Sequence, residues 1–233
     1  MIKLGHISGN WNRVAIDFYS RLTEKYPNVS LVQIHNPDSP PYSEDIKTAY
    51  GDMVDSAKCL ADTGVTHVAI ACNTMHLQRT NFIADTGLTM LDMVGGTKQA
   101  AIHCGYKQIG ILGTITSMAS GLYDSAGYTS IYPDDQDQQL LQRYIVSNKH
   151  VARRADNQDL GDLIDRFTNQ HHQMDAILLG CTDLPTLVPQ KNTLYLFWIL
   201  LIFWLIFVGQ FTIHSRGSYL GYILLSFYCI RTH

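Results

Sequence analysis

The chain has 233 residues and a net charge of −3, enough sequence for one large domain or two small ones and no basic surplus of the kind a nucleic-acid surface needs. Its five cysteines show neither framework nor CxxC spacing, which argues against a disulfide scaffold or a zinc site and for a reducing compartment. The start, MIKLGHISGN, lacks an apolar h-region, so no cleaved secretory signal is expected and the expected location is cytoplasmic.

The predicted elements follow an α/β rhythm. Met1–Ser8 reads as a strand, and residues 12–25 as a helix with Val14, Phe18 and Leu22 on one face. Val29–Ile34 alternates like a strand, and NPDSPP after it is a loop with three prolines. Ser43–Thr63 reads as a helix capped by its serine, with Ile46, Tyr50, Met53, Val54 and Ala57 inward and Gly64 closing it. His67–Ala71 is a short apolar run of the type buried on both faces of a parallel sheet.

The same order then recurs. A helix over residues 94–103 leads to the strand Gln108–Leu112. Helices are expected over 135–146 and 157–169, and a strand over Met174–Gly180. LGHISG (Leu4–Gly9) aligns with IGILGT (Ile109–Thr114), and Cys72 with Cys181. The expected fold class is therefore α/β: two pseudo-symmetric parallel-sheet domains, 1–97 and 98–191, with the active site in the crevice between them. Residues 192–233 are set apart as an anomalous hydrophobic tail.

Two passages carry the chemistry. VAIACNTMH and AILLGCTDLP each run from apolar residues through a cysteine into hydroxyl, amide or carboxylate side chains. Ligands of open α/β sheets collect beyond the carboxyl ends of strands, where both cysteines fall. A following helix N-terminus is expected to lower each thiol pKa towards neutrality. Two facing thiols suit removal of a proton from one face of a carbon and its return to the other. The competing reading is that cysteines ending apolar strands are core filler. Cys59, Cys104 and Cys229 lack the shared context, and the histidines, His171 and His172 included, read as solvated surface residues.

ACNTMH (Ala71–His76) and LGCTDLP (Leu179–Pro185) closely resemble the two signature motifs of the aspartate/glutamate racemase family, and GILGTITSM (Gly110–Met118) is similar to its Gly-Thr turn. The resemblance covers roughly residues 1–190. It implies a homodimeric, cofactor-independent isomerase with no metal, interconverting L- and D-aspartate or glutamate by two-thiol proton transfer. Cys72 and Cys181 match the catalytic thiols. Asn73, Thr74 and Thr182 match donors to the substrate, Thr114 and Thr116 match positions that hold the α-carboxylate, and Ser8, Gly9 and Asn10 border the crevice. Asp183 stands where the family commonly has Glu, and either orients Cys181 or the substrate ammonium or is a plain helix charge. The Asn and Thr side chains have a second reading as helix caps, and His76 either tunes Cys72 or is solvated. CTDLP and HISGN are closer to aspartate-type or broad-specificity members than to glutamate racemases. The loop Asn36–Asp45 has no arginine to grip a distal carboxylate, leaving Arg13, Arg153 and Arg154 as the alternatives. Hydantoin racemase, maleate isomerase and decarboxylase chemistry share the scaffold, as does a silent membrane-tethered binding protein.

The tail holds nearly half of the aromatic residues, and its only charges are Arg216 and Arg231. Leu194–Val208 is uninterruptedly apolar, yet as a helix it spans roughly 22 Å against a hydrocarbon core of about 30 Å. It reads either as foreign sequence from a shifted frame or read-through, or as a membrane anchor through 194–230.

Overall fold

The computed structural model describes residues 3–9, 12–42, 44–147, 158–187 and 195–196. They form two four-stranded parallel sheets. The first holds β1 (Lys3–Ser8), β2 (Ser30–His35), β3 (His67–Ile70) and β4 (Thr89–Met90), in the order β2-β1-β3-β4. The second holds β5 (Gln108–Gly113), β6 (Thr129–Ile131), β7 (Ala176–Gly180) and β8 (Tyr195–Leu196), in the order β6-β5-β7-β8. The two orders are the same, so β1 corresponds to β5 and β3 to β7, as the internal alignment requires.

Alternation along the central strands sends side chains to two separate cores in each half. In the second sheet Leu112, Ile177 and Leu179 pack with Leu141 of α6 (Asp135–Ser147) and with Leu160 and Phe167 of α7 (Gln158–Gln170). Ile109, Ile111, Ala176 and Leu178 face the other way, against Val94 and Ala101 of α4 (Met93–His103) and against Tyr123. In the first sheet Leu4 and Ala69 meet Phe18 and Leu22 of α1 (Asn12–Lys25), while Ile7, Val68 and Ile70 meet Met53, Ala57 and Leu60 of α2 (Ile46–Ala61). Each large side chain buried this way contributes roughly 1.5–3 kcal/mol.

Close packing also explains a matched pair of strand glycines. A Cβ on Gly5 would lie 2.9 Å from Val65, and one on Gly110 would lie 2.7 Å from the Phe167 ring and 2.6 Å from Met174 Sδ. At corresponding places in the two sheets a helix-side residue occupies the volume that any larger strand residue would need.

Several expectations are corrected. The α2 helix starts at Ile46 rather than Ser43 and is capped by Asp45, whose carboxylate accepts from Thr48 N at 3.0 Å and so satisfies a free N–H of the first turn. Its buried face is Ala49, Met53, Ser56, Ala57 and Leu60, with Ile46 50% exposed, so the inward stripe is rotated relative to the expected one. Two histidines are core residues rather than surface ones: His6 is fully buried and stacked on Phe18 at 3.9 Å, and His76 is buried. Tyr195–Leu196 pair in parallel with β7 at Ile177 and Leu178, so the apolar segment begins inside the second sheet instead of lying wholly apart from it. The remainder of the tail, Cys229 included, lies outside the described residues, as do Arg153 and Arg154. Among the described residues no helix is long and apolar enough to cross a membrane.

Candidate active site

All strands of each sheet are parallel, so their carboxyl ends open on one side, and the turns leaving β1, β3, β5 and β7 meet there. Cys181 follows the last residue of β7, and Cys72 lies two residues past the end of β3. Both line one cavity of ≈ 110 Å³. That is room for several waters or one small solute. Cys181 is 6% exposed and Cys72 is half-buried.

The other expected residues divide cleanly. Ser8 and Gly9 line the cavity from β1, Asn73 and Thr74 from the turn after β3, and Thr114 from the end of β5. Thr182 and Asp183 line it beside Cys181. Thr116 does not: it sits in α5 (Ile115–Ala119), two residues beyond Thr114, and is absent from the cavity wall. Asn10 lies outside the described residues.

Hydrogen bonds tie these groups together across the two halves. Thr74 Oγ1 and Thr114 Oγ1 are 3.1 Å apart. Thr114 is also a helix cap, its Oγ1 accepting from Ser117 N at 3.1 Å, so the cap reading of this cavity-lining residue holds. Asn73 is no cap: its Oδ1 accepts from the buried hydroxyl of Tyr123, whose own carbonyl accepts from Tyr128. This arrangement fixes the Asn73 amide and leaves its Nδ2 buried without a partner among the described residues, on the wall of the cavity. Ser8 Oγ and His35 Nδ1 are 2.8 Å apart.

The electrostatics overturn the expected acidity of the thiols. Burial pushes Cys72 up to about 11; the backbone N–H groups of Met75 and Thr74 do favour its thiolate, but desolvation outweighs them. Burial also raises Cys181 well above an ordinary thiol, and the neighbouring Asp183 charge adds to the effect. Cys181 Sγ donates to Asp183 Oδ2 across 3.6 Å. Burial lifts the Asp183 carboxyl from 3.8 to about 7, partly opposed by that thiol donor. His76 does not tune Cys72. Its Nε2 meets the Ile70 carbonyl at 3.4 Å, and burial lowers it to about 4, leaving it neutral.

Sequence alone missed Tyr123 and the walls contributed by α2, α6 and the proline loop. The helices had been recognised, but nothing in their periodicity says that Met53, Gln142 or Ile145 reaches a site built from distant turns. Tyr123 had no motif, although its neighbour Gly180 offered a hint: a Cβ there would meet the Tyr123 ring at 3.1 Å.

Two cysteines at equivalent strand ends of duplicated sheets, facing one small cavity, define a two-thiol site on a paired α/β scaffold. Residues 15–195 match the Asp/Glu/Hydantoin racemase family, and the chain belongs to that family. It is 28% identical over 166 residues to the broad specificity amino-acid racemase RacX of Bacillus subtilis (strain 168), covering 68% of this chain and 70% of the relative. The fold is similar to that of the Picrophilus torridus aspartate racemase, with TM-score 0.73 at 23% identity over 88% of this chain and 93% of the other. It is also similar to glutamate racemase from Francisella tularensis, with TM-score 0.63 at 15% identity over 88% and 79% of the two chains.

Proposed function

We propose that the chain is a cofactor-independent amino-acid racemase in which Cys72 and Cys181 exchange the α-proton of the substrate. One sulfur, as thiolate, takes the proton from Cα and becomes a thiol. The electron pair left on carbon delocalises into the α-carboxylate, and the other thiol returns a proton from its own side, becoming the thiolate. One proton enters and one leaves, and the reverse reaction swaps the two roles. The observation that carries this reading is that the cysteines, each at the carboxyl end of its own sheet, line the same cavity.

The surrounding groups support it. The free Asn73 Nδ2 and the Thr114 and Thr182 hydroxyls supply donors for the α-carboxylate, whose charge grows as the proton leaves. In this scheme Asp183, 3.6 Å from Cys181 Sγ, takes the Cys181 proton when that sulfur must become the base. The resemblance puts aspartate and glutamate among the substrates. The broad specificity of the Bacillus subtilis relative supports a site open to other amino acids as well. A homodimer acting in the reducing cytoplasm belongs to the same reading, and the cysteines of the described residues are all free.

The test is incubation with L-amino acids in deuterated water, following α-proton exchange by NMR and the enantiomer ratio by chiral chromatography. Exchange that is lost in Cys72→Ala and in Cys181→Ala supports the scheme. Undiminished exchange in either variant refutes it.

A further inference from the structure

The cavity wall is chemically divided. Most of its polar groups come from the turns after the strands, around the two cysteines. The rest of the wall comes from α2, α6 and the proline loop and is mostly apolar, with Ala49, Met53, Pro41, Ile145 and Val146 interrupted by the polar Ser39, Tyr42 and Gln142. Two neutral amides on that side are already engaged. Asn36 Nδ2 donates to Ser56 Oγ at 2.9 Å, and Gln142 Oε1 accepts from Ile115 N at 3.0 Å. Tyr42 accepts at its hydroxyl from Gln78 Nε2 at 2.8 Å. Among the described residues lining the cavity there is no lysine or arginine, and the single carboxyl group is that of Asp183.

Resting on the racemase reading above, we infer that the preferred substrate is an amino acid with a small to medium, uncharged, largely apolar side chain, seated against Met53, Pro41, Ile145 and Val146. The α-carboxylate of any amino acid finds donors at the strand ends. A second carboxylate at the end of a side chain faces a mostly apolar wall, with no cation among the described lining residues to offset its desolvation. The one charge it meets nearby, on Asp183, repels it. An apolar side chain of the same length instead gains by leaving water and fills a wall of matching character. Uncharged substrates are thus favoured by what the wall offers as well as by what acidic ones would lose there.

The experiment compares α-proton exchange of L-alanine, L-valine, L-methionine, L-leucine, L-aspartate and L-glutamate by the full chain in deuterated water, with Cys72→Ala and the milder Cys72→Ser run in parallel. At least one uncharged amino acid is expected to exchange with a kcat/KM ten-fold or more above both acidic ones, and to lose that exchange in the Cys72 variants. Aspartate or glutamate exchanging within ten-fold of the best uncharged substrate, or faster, with the exchange still lost in those variants, overturns the side-chain class and leaves the two-thiol racemase standing. If that acidic exchange also falls in Arg13→Ala, the missing cation comes from α1. Exchange of none of the six, or exchange that survives in both Cys72 variants, removes the racemase reading and the inference with it.

Discussion

Cys181 Sγ and Asp183 Oδ2 stand 3.6 Å apart, and the carboxyl group of that pair titrates at about 7. Above that pH the carboxylate accepts the thiol proton; below it the acid is neutral and holds its own. We therefore expect kcat/KM to fall as pH drops through about 7. In Asp183→Asn that limb should vanish, with kcat/KM lower by roughly 10²–10⁴-fold, the span of a lost acid–base group. Because enantiomers have equal free energy, the loss must be the same for the L and D substrates. A pH–rate profile of both directions checks this, and an unchanged acidic limb in the variant would discount the role of Asp183.

Tyr123 holds the Asn73 amide from the other half of the molecule. Tyr123→Phe keeps the ring that packs beneath Gly180 but releases Asn73 to turn. The expected result is a KM raised about five-fold, from the loss of one hydrogen bond of about 1 kcal/mol, with a smaller change in kcat. Steady-state kinetics distinguish this from a merely structural role, which would lower the active fraction and leave KM alone.

Stability should depend on acid in a defined way. Burial holds His6 and His76 near 4, against 6.5 in an unfolded chain. Between those values the unfolded chain binds two more protons at these side chains than the fold does, so stability falls as pH drops from 6.5 towards 4. Asp183 opposes them: raised from 3.8 to about 7, it gives the fold one extra proton over the same window. The sum is one proton, or about 1.4 kcal/mol per pH unit. Urea midpoints measured at stepped pH should show that slope, approaching twice as steep in Asp183→Asn. A variant no steeper than the parent would contradict the raised carboxyl.

Gly110 faces the Phe167 ring and Met174 with no room for a methyl group. Gly110→Ala should cost about 1–3 kcal/mol through forced repacking of the second core. Denaturant unfolding reads the loss directly. Because Gly110 lies in the half of β5 away from the site, the folded fraction should keep its kcat.

Much of the fold was legible because strong local patterns agreed with it. The boundaries of α1 (Asn12–Lys25) match the apolar spacing of Val14, Phe18 and Leu22, and AILLG is an apolar run that the sheet buries at every position. The two- and three-residue strands β4 and β6 are too short to show any period, and the Ser43 cap lost to Asp45 two residues on. The cysteines and their polar neighbours were legible as motifs. Their acidity was not, because a turn's N–H groups can be read from sequence whereas the burial that defeats them depends on packing from α2 and α6. Thr116 went astray for a related reason: neighbouring threonines look alike in sequence, but only Thr114 closes β5 at the cavity.

The duplication aligning Cys72 with Cys181 sets Thr74 opposite Asp183, so the two sulfurs do not have equivalent helpers. In the proposed scheme each turnover leaves the free enzyme with its labile hydrogen on the other sulfur, and a cycle in the same direction cannot begin until that hydrogen has been moved back. In that scheme Asp183 would serve only one of the two resting forms, which would therefore differ in population and in how fast they are restored. On that scheme the protein would carry a record of the enantiomer it last consumed, and at high substrate concentration the erasing of that record, rather than the breaking of a C–H bond, would set its pace.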